Sequence, residues 1–368
     1  MAALSGVSIV AFDFCVKAFH PLIRIFALMI QNEKSLFKQK NMIIKNILLA
    51  GALLIASTAM TAQETNMDKP SNNMTENLKV AKVPVEKVDR TPVVFKQREN
   101  GFTLAGILYR PHTWKQGEKL KTIIVGGPMY SVKEQTQSIY AMLLAEAGYA
   151  TLVFDHSYIG ASEGHPRGYE DPEIKGADLR SAVDYLQTLD CVDKKHIGAV
   201  GICGSGVYVP NGLRNDSRVK AIASIVPFIM MTDIKTNSDE ELLKMKADYE
   251  QGGEVQRLDL IKGGEGEAYY RNPDRGAAVQ ACPTPAWSQL AWHKFHPAET
   301  VRELKVPYLV IAGEKAFTTE GAKKMYENAP EPKFFHLTKG ASHFEMYDMN
   351  KYVKENVSEL LKFFGKYL

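Results

Sequence analysis

The residues best placed by type and spacing to do chemistry lie in Gly201-Ile202-Cys203-Gly204-Ser205-Gly206. An apolar run, residues 196–202, leads straight into them. Gly201, Cys203 and Ser205 match small–x–nucleophile–x–small, the pattern of a sharp strand-to-helix turn that lifts its central side chain above a sheet. Small flanks are needed because the helix passes close to the strand. Reading Cys203 as the nucleophile satisfies both flanks. Shifting the register to Ser205 puts Val207 at the second flank, where a β-branched side chain would crowd the turn. Cys203 is therefore the expected nucleophile, and a serine esterase or peptidase using Ser205 is the alternative. The backbone N–H of Gly204 could serve an oxyanion, and a second donor is expected from Gly126-Gly127-Pro128-Met129-Tyr130, with Met129 N–H as the candidate.

A base should follow the last strand, where Gly340-Ala341-Ser342-His343 stands. An imidazole there could take the thiol proton or stabilise a thiolate. The orienting acid is less plainly written. An Asp three residues after Gly313 would be usual, but Ala316 occupies that position. Glu314 is the expected acid, its longer side chain reaching from an earlier turn position. Asp233, Glu320, or no acid at all are the other readings. Glu320 sits where a first helical turn favours a carboxylate without any catalytic role.

These residues require a scaffold of alternating strands and helices. Short apolar runs bounded by Gly or Pro predict buried strands at 121–125, 150–154, 196–202, 219–226, 308–311 and 333–337, with 103–109 as an edge hairpin strand. Helical spacing appears over 135–147, 174–189 and 352–368. Such alternation predicts an α/β architecture, a mostly parallel sheet covered by helices on both faces. Residues from about 233 to 301 are too many for a simple crossover. Their charged helix at 239–250, Gly pairs and aromatic stretch (Tyr269, Tyr270, Trp287, Trp292, Phe295) predict a helical lid insertion.

The chain has 368 residues, 45% hydrophobic and 24% charged, so disorder, collagen and coiled coil are excluded as the main architecture. The net charge is +3, and its excess lies in residues 1–62, which hold six Lys or Arg against two acids. The near-neutral remainder offers no footprint for nucleic acid. Four cysteines, Cys15, Cys191, Cys203 and Cys282, exclude a disulfide-rich scaffold and a CxxC metal site. Whether Cys191 and Cys282 pair is left open. No cofactor or metal is expected. Lys45, an apolar run and small residues up to Ala62 follow the order of a secretory signal peptide, within about 42–62, with Met42 an alternative start to Met1. Cleavage after Ala59 or Ala62 would leave a periplasmic or secreted protein with no membrane span. Residues 63–82 read as a linker and 83–368 as the folded domain.

With these residues in place, the chain from about Thr91 to Leu368 resembles the α/β-hydrolase superfamily, and within it the dienelactone-hydrolase-like branch whose elbow carries Cys. The resemblance rests on Val125-Gly-Gly-Pro with Val132-Lys-Glu-Gln, Phe154-Asp155 through Gly160-Ala-Ser-Glu-Gly, the elbow, and Gly340-Ala-Ser-His343. It implies a hydrolase of ester, lactone or thioester bonds in a small-molecule substrate, acting through an acyl-cysteine. Two departures stand out: Ala316 at the acid position, and Gly127 where relatives often carry His. A non-catalytic binding protein on the same fold is the remaining alternative.

Overall fold

The computed structural model describes Val80, Ala81, Val83, and residues 85–278 and 283–368. The expected leader at 1–62, the linker apart from Val80 and Ala81, and Cys15 and Cys282 lie outside the described residues. Val80 makes a bridge to Met349, and Ala81 N–H donates to Asp348 O at 2.6 Å. The domain therefore begins slightly before residue 83, against the turn that follows His343.

The chain runs β1 (Val88–Lys96), β2 (Thr103–Pro111), β3 (Leu120–Gly126), α1 (Thr136–Glu146), β4 (Ala150–Phe154), α2 (Pro172–Thr188), β5 (Val192–Ile202), α3 (Ser205–Leu213) and β6 (Val219–Ile225). After an insertion come β7 (Tyr308–Gly313), α6 (Thr319–Asn328), β8 (Lys333–Thr338), a single helical turn Glu345–Asp348, and α7 (Asn350–Tyr367). The insertion carries α4 (Asp239–Glu250), α5 (Gly264–Tyr270) and a short antiparallel ribbon pairing Arg257–Leu258 with Thr284–Pro285.

The sheet has the order β1-β2-β4-β3-β5-β6-β7-β8. From β4 onward the pairings are parallel, while β1 and β2 are antiparallel to their neighbours. Helices cover both faces, and the fold is that of the α/β hydrolases. The central strands read as continuous apolar runs because both faces are covered. Ile123, Ile124, Val200, Ile222 and Val310 are all fully buried. Residues 103–109 lie one strand inside the sheet, and the edge strand beside them is β1. Its charged and proline-bearing sequence, VDRTPVVFK, hid it, yet an edge tolerates Pro92 because one side of the ladder needs no N–H donor.

Helix starts carry their own signals. Asp171 accepts from Glu173 N at the head of α2, with Pro172 in the first turn. Ser238 and Glu241 form a capping box on α4. The closing helix α7 buries Val353, Val357, Leu360 and Phe364 along one stripe.

Candidate active site

At the end of β5 the backbone turns sharply, and Cys203 adopts φ +55°, a left-handed conformation unusual for a side chain of this kind. The flanking glycines are sterically required. A Cβ on Gly201 would lie 1.9 Å from Ser205 O, and one on Gly206 would lie 2.9 Å from Pro227 Cα. Cys203 N–H donates to Ile225 O at 2.9 Å, and Cys203 O accepts from Phe228 N at 3.0 Å, so β6 holds the turn.

The thiol faces a narrow cavity of about 400 Å³, counted to its open mouth, whose wall includes Met129, Tyr130, Phe228, Tyr270, Phe317, Phe344 and Tyr347. The N–H groups of Gly204 and Met129 both lie close enough to the sulfur to favour its thiolate. The two expected oxyanion donors therefore converge beside the expected nucleophile. A Cβ on Gly204 would stand 2.9 Å from Met129 N, which shows how closely the two loops approach. Burial outweighs these donors and pushes the thiol up to about 11.

Ser205 is placed differently. It opens α3, is fully buried, and its Oγ has no hydrogen-bond partner among the described residues. Gly126 lies so close that a Cβ there would fall 2.7 Å from Ser205 Cβ. Gly127 also has a reason: a side chain there would collide with the Gln137 amide, 2.2 Å from the ideal Cβ. Gln137 fills this space and donates to Val132 O at 2.8 Å, bracing the loop that carries Met129.

His343 reaches the same cavity and is 1% exposed. Its ring makes hydrogen bonds to two hydroxyls, with Nδ1 2.9 Å from Thr318 Oγ1 and Nε2 2.9 Å from Tyr347 Oη. Burial pulls the imidazole down to about 3, so the ring is neutral at neutral pH. The acid expected at this ring is not there. Glu314 is exposed and accepts from Gly340 N at 2.8 Å, so its carboxylate braces the loop before His343 instead of touching the ring. Glu320 pairs with Lys323 at 2.7 Å, and Asp233 lines a separate cleft with His293 and Lys324. Ala316 is buried beside Gly313.

Thr318 and Tyr347 were missed in the sequence. Tyr347 had a signal, since it follows His343 by one helical turn and would share its face. Thr318 had none beyond being the next polar residue in the acid loop. The Tyr347 hydroxyl also lies close to the Cys203 thiol and the Tyr270 hydroxyl. The insertion enters through Leu260, Ile261 and Tyr270, which close one wall of the cavity. Tyr270 O–H donates to Met129 O at 2.9 Å, and Tyr130 O–H donates to Leu258 O at 3.1 Å. These bonds tie the insertion to the Met129 loop.

A wider opening, about 900 Å³ counted with the solvent it holds, lies elsewhere, between the head of α2 and α4, and is lined by Tyr169, Trp287 and Lys246. It does not include Cys203 or His343. Among the described residues no group of three His, Cys, Asp or Glu could hold a metal, and no helix is long and apolar enough to cross a membrane.

No protein-family model matches the chain. An uncharacterized protein of Pseudomonas aeruginosa, PA2218, is 33% identical over 337 residues, covering 83% of this chain and 90% of the relative. The chain belongs to the PA2218 family. The crystal structure of that hypothetical protein matches with a TM-score of 0.71 at 30% identity, over 83% of this chain and all of the other. Beyond the PA2218 family, the α/β hydrolase GrgF from Penicillium sp. sh18 matches with a TM-score of 0.63 at 20% identity, covering 76% of this chain and 99% of that one. That likeness shows the fold. A thiohydrolase of Eupenicillium brefeldianum is 23% identical over 284 residues, covering 72% of this chain and 92% of its own.

Proposed function

We propose that the protein hydrolyses ester-type bonds, esters, lactones or thioesters, through a covalent intermediate on Cys203. One observation carries the reading. The thiol sits on a strained elbow, faces a cavity, and has two backbone N–H groups close beside its sulfur. That is the arrangement acyl transfer needs, a nucleophile with preorganised donors for the oxyanion beside it. Likeness to hydrolases by fold, and to a thiohydrolase by sequence, supports the reaction class.

In this reading His343 is the base, and Gly204 and Met129 stabilise the tetrahedral oxyanion. Among the described residues the cavity wall contributes no Lys, Arg, Asp or Glu side chain. Its mouth carries Phe317, 53% exposed, with the His343 ring 4.4 Å away. An uncharged apolar or aromatic acyl group suits such a wall, because a carboxylate would enter without a cationic partner. The leader pattern supports export to the periplasm or beyond as part of the same proposal.

The test is hydrolysis of short-chain nitrophenyl esters and acyl thioesters by the purified protein. Turnover blocked by iodoacetamide, and reduced about 10²–10⁴-fold by His343→Gln, supports the reading. Turnover indifferent to Cys203 alkylation overturns it.

A further inference from the structure

The proton path at this site has an extra member. The His343 ring hydrogen-bonds Thr318 and Tyr347, and Tyr347 Oη, 2.9 Å from Nε2, lines the same cavity as the Cys203 thiol, close enough to favour its thiolate. Among the described residues no hydrogen bond joins the thiol to the imidazole directly, and the phenol hydroxyl stands beside both. We propose that Tyr347 is a catalytic residue, whose hydroxyl carries the proton between Cys203 and His343. This rests on the acyl-cysteine reading above.

The chemistry balances without any further reagent. With the Nδ1 proton on the Thr318 side, Nε2 has a free lone pair and accepts from Tyr347 O–H. The Cys203 S–H then donates to Tyr347 Oη. As the phenol proton moves to Nε2, the thiol proton moves to Oη. One S–H and one O–H bond break, and one O–H and one N–H bond form. The products are a thiolate, a neutral phenol and an imidazolium. The thiolate attacks the acyl carbon, and the carbonyl electron pair moves to the oxygen held by Gly204 and Met129. On collapse, the leaving group takes a proton from Tyr347 as Tyr347 takes one from the imidazolium. In deacylation, a water gives its proton along the same route, its oxygen bonds the carbon, and the sulfur leaves as thiolate to be reprotonated.

The surroundings suit a relay. Tyr347 is fully buried, on the helical turn Glu345–Asp348, and its backbone carbonyl accepts from Thr136 Oγ1 at 2.7 Å. Tyr269 meets its ring edge-on at 5.0 Å, and Phe344 packs at 5.1 Å. The hydroxyl is therefore fixed in place between its partners. Burial raises the phenol well above its ordinary range, so it passes a proton only by receiving another.

The thiol itself reports the relay, with no substrate present. The rate of iodoacetamide alkylation at Cys203 is followed by mass spectrometry at neutral pH. Tyr347→Phe should slow it at least about tenfold, to the level of His343→Gln, and the double variant should be no slower than either single one. A phenol that only packs, or that only donates to the oxyanion, leaves alkylation unchanged in Tyr347→Phe. That result, or effects that multiply in the double variant, overturns the proposal. If Tyr347→Phe does not fold, the wild-type protein still decides. Alkylation rates across H₂O–D₂O mixtures should bow downward for two protons in flight, and a straight line overturns the relay. Absence of ester turnover would sink the hydrolase reading while leaving these alkylation results intact, so the two failures are distinguishable.

Discussion

On one side of the cavity stand Cys203, Gly204 and Met129; on the other stand His343, Thr318 and Tyr347. The first group is held by backbone. Its geometry follows from a left-handed Cys203, from glycines that admit no Cβ, and from strand hydrogen bonds to β6. The second group is held by side-chain hydroxyls and aromatic packing. Backbone sterics leave few solutions, so the nucleophile side follows a fixed small–x–nucleophile–x–small rule. A proton path only needs donors and acceptors in reach, and many side chains supply them. Here the His343 ring meets the hydroxyls of Thr318 and Tyr347 where a carboxylate is expected.

The largest effect should come from the backbone-held side. Cys203→Ala is expected to lower ester turnover by about 10⁴-fold or more, while Ser205→Ala stays within about threefold. Removing the Ser205 hydroxyl deletes a buried group without a partner, so stability should hold or rise by about 1 kcal/mol. Steady-state kinetics and denaturant melts check both. The reverse order of activities would mean the elbow's glycines position Ser205 instead, and the contrast between the two sides would fail.

The same contrast explains what was legible beforehand. The alternation of strands and helices, the parallel sheet and the small residues of the turn at Cys203 follow from apolar runs and glycine sterics, which leave local marks. The Val88–Lys96 edge strand left none, because exposed edges carry polar residues and Pro92. Glu314 was chosen by chain position, and position does not say which way a side chain points. Its carboxylate found the Gly340 N–H first. Tyr347 stands one helical turn past His343, a spacing that leaves a mark, but Thr318 reaches the ring from another segment, and no spacing rule within one segment describes that meeting.

The two sides should also separate on the pH axis of stability. Folding holds His343 near 3 against an ordinary 6.5, so below 6.5 the unfolded chain binds the proton that the native ring refuses. Stability from this group is full above 6.5, falls as pH drops, and levels off near 3. The loss by pH 4 should be on the order of 3 kcal/mol, and His343→Gln should remove it. Cys203 is the mirror case. Its thiol is pushed from 9.0 to about 11, so stability falls as pH rises through that window, and Cys203→Ala should flatten it. Denaturant midpoints from pH 4 to 11 for the three proteins test both arms. A wild-type acid arm that His343→Gln leaves unchanged would mean the ring charges in the native state.

A smaller change should follow from restoring a carboxylate. A hydroxyl both donates and accepts, so Thr318 permits either tautomer of His343; a carboxylate only accepts and fixes the proton on Nδ1. Thr318→Asp is expected to raise kcat about tenfold by populating the form whose Nε2 can take a proton. A folded variant with lower kcat would show that Thr318 acts as a donor, and the side-chain-held half would then be as specific as the elbow.

Glu314→Gln should do least. The carboxylate accepts one hydrogen bond from Gly340 N, and a glutamine oxygen accepts the same bond from the same position. Turnover should stay within about twofold and stability within about 0.5 kcal/mol. Glu314→Ala removes the acceptor and frees a loop whose Gly340 sits at φ +76°, three residues before the base. That change should cost about 1 kcal/mol and a few-fold in kcat, through looser placement of His343. The pair of variants separates bracing from chemistry, because bracing depends on an acceptor and chemistry would depend on the charge. If Glu314→Gln alone lowered kcat about 10²-fold with the melt unchanged, the carboxylate would be acting on His343 during turnover. The base side would then rest on an ordinary acid, and the hydroxyl-built path would have to be abandoned.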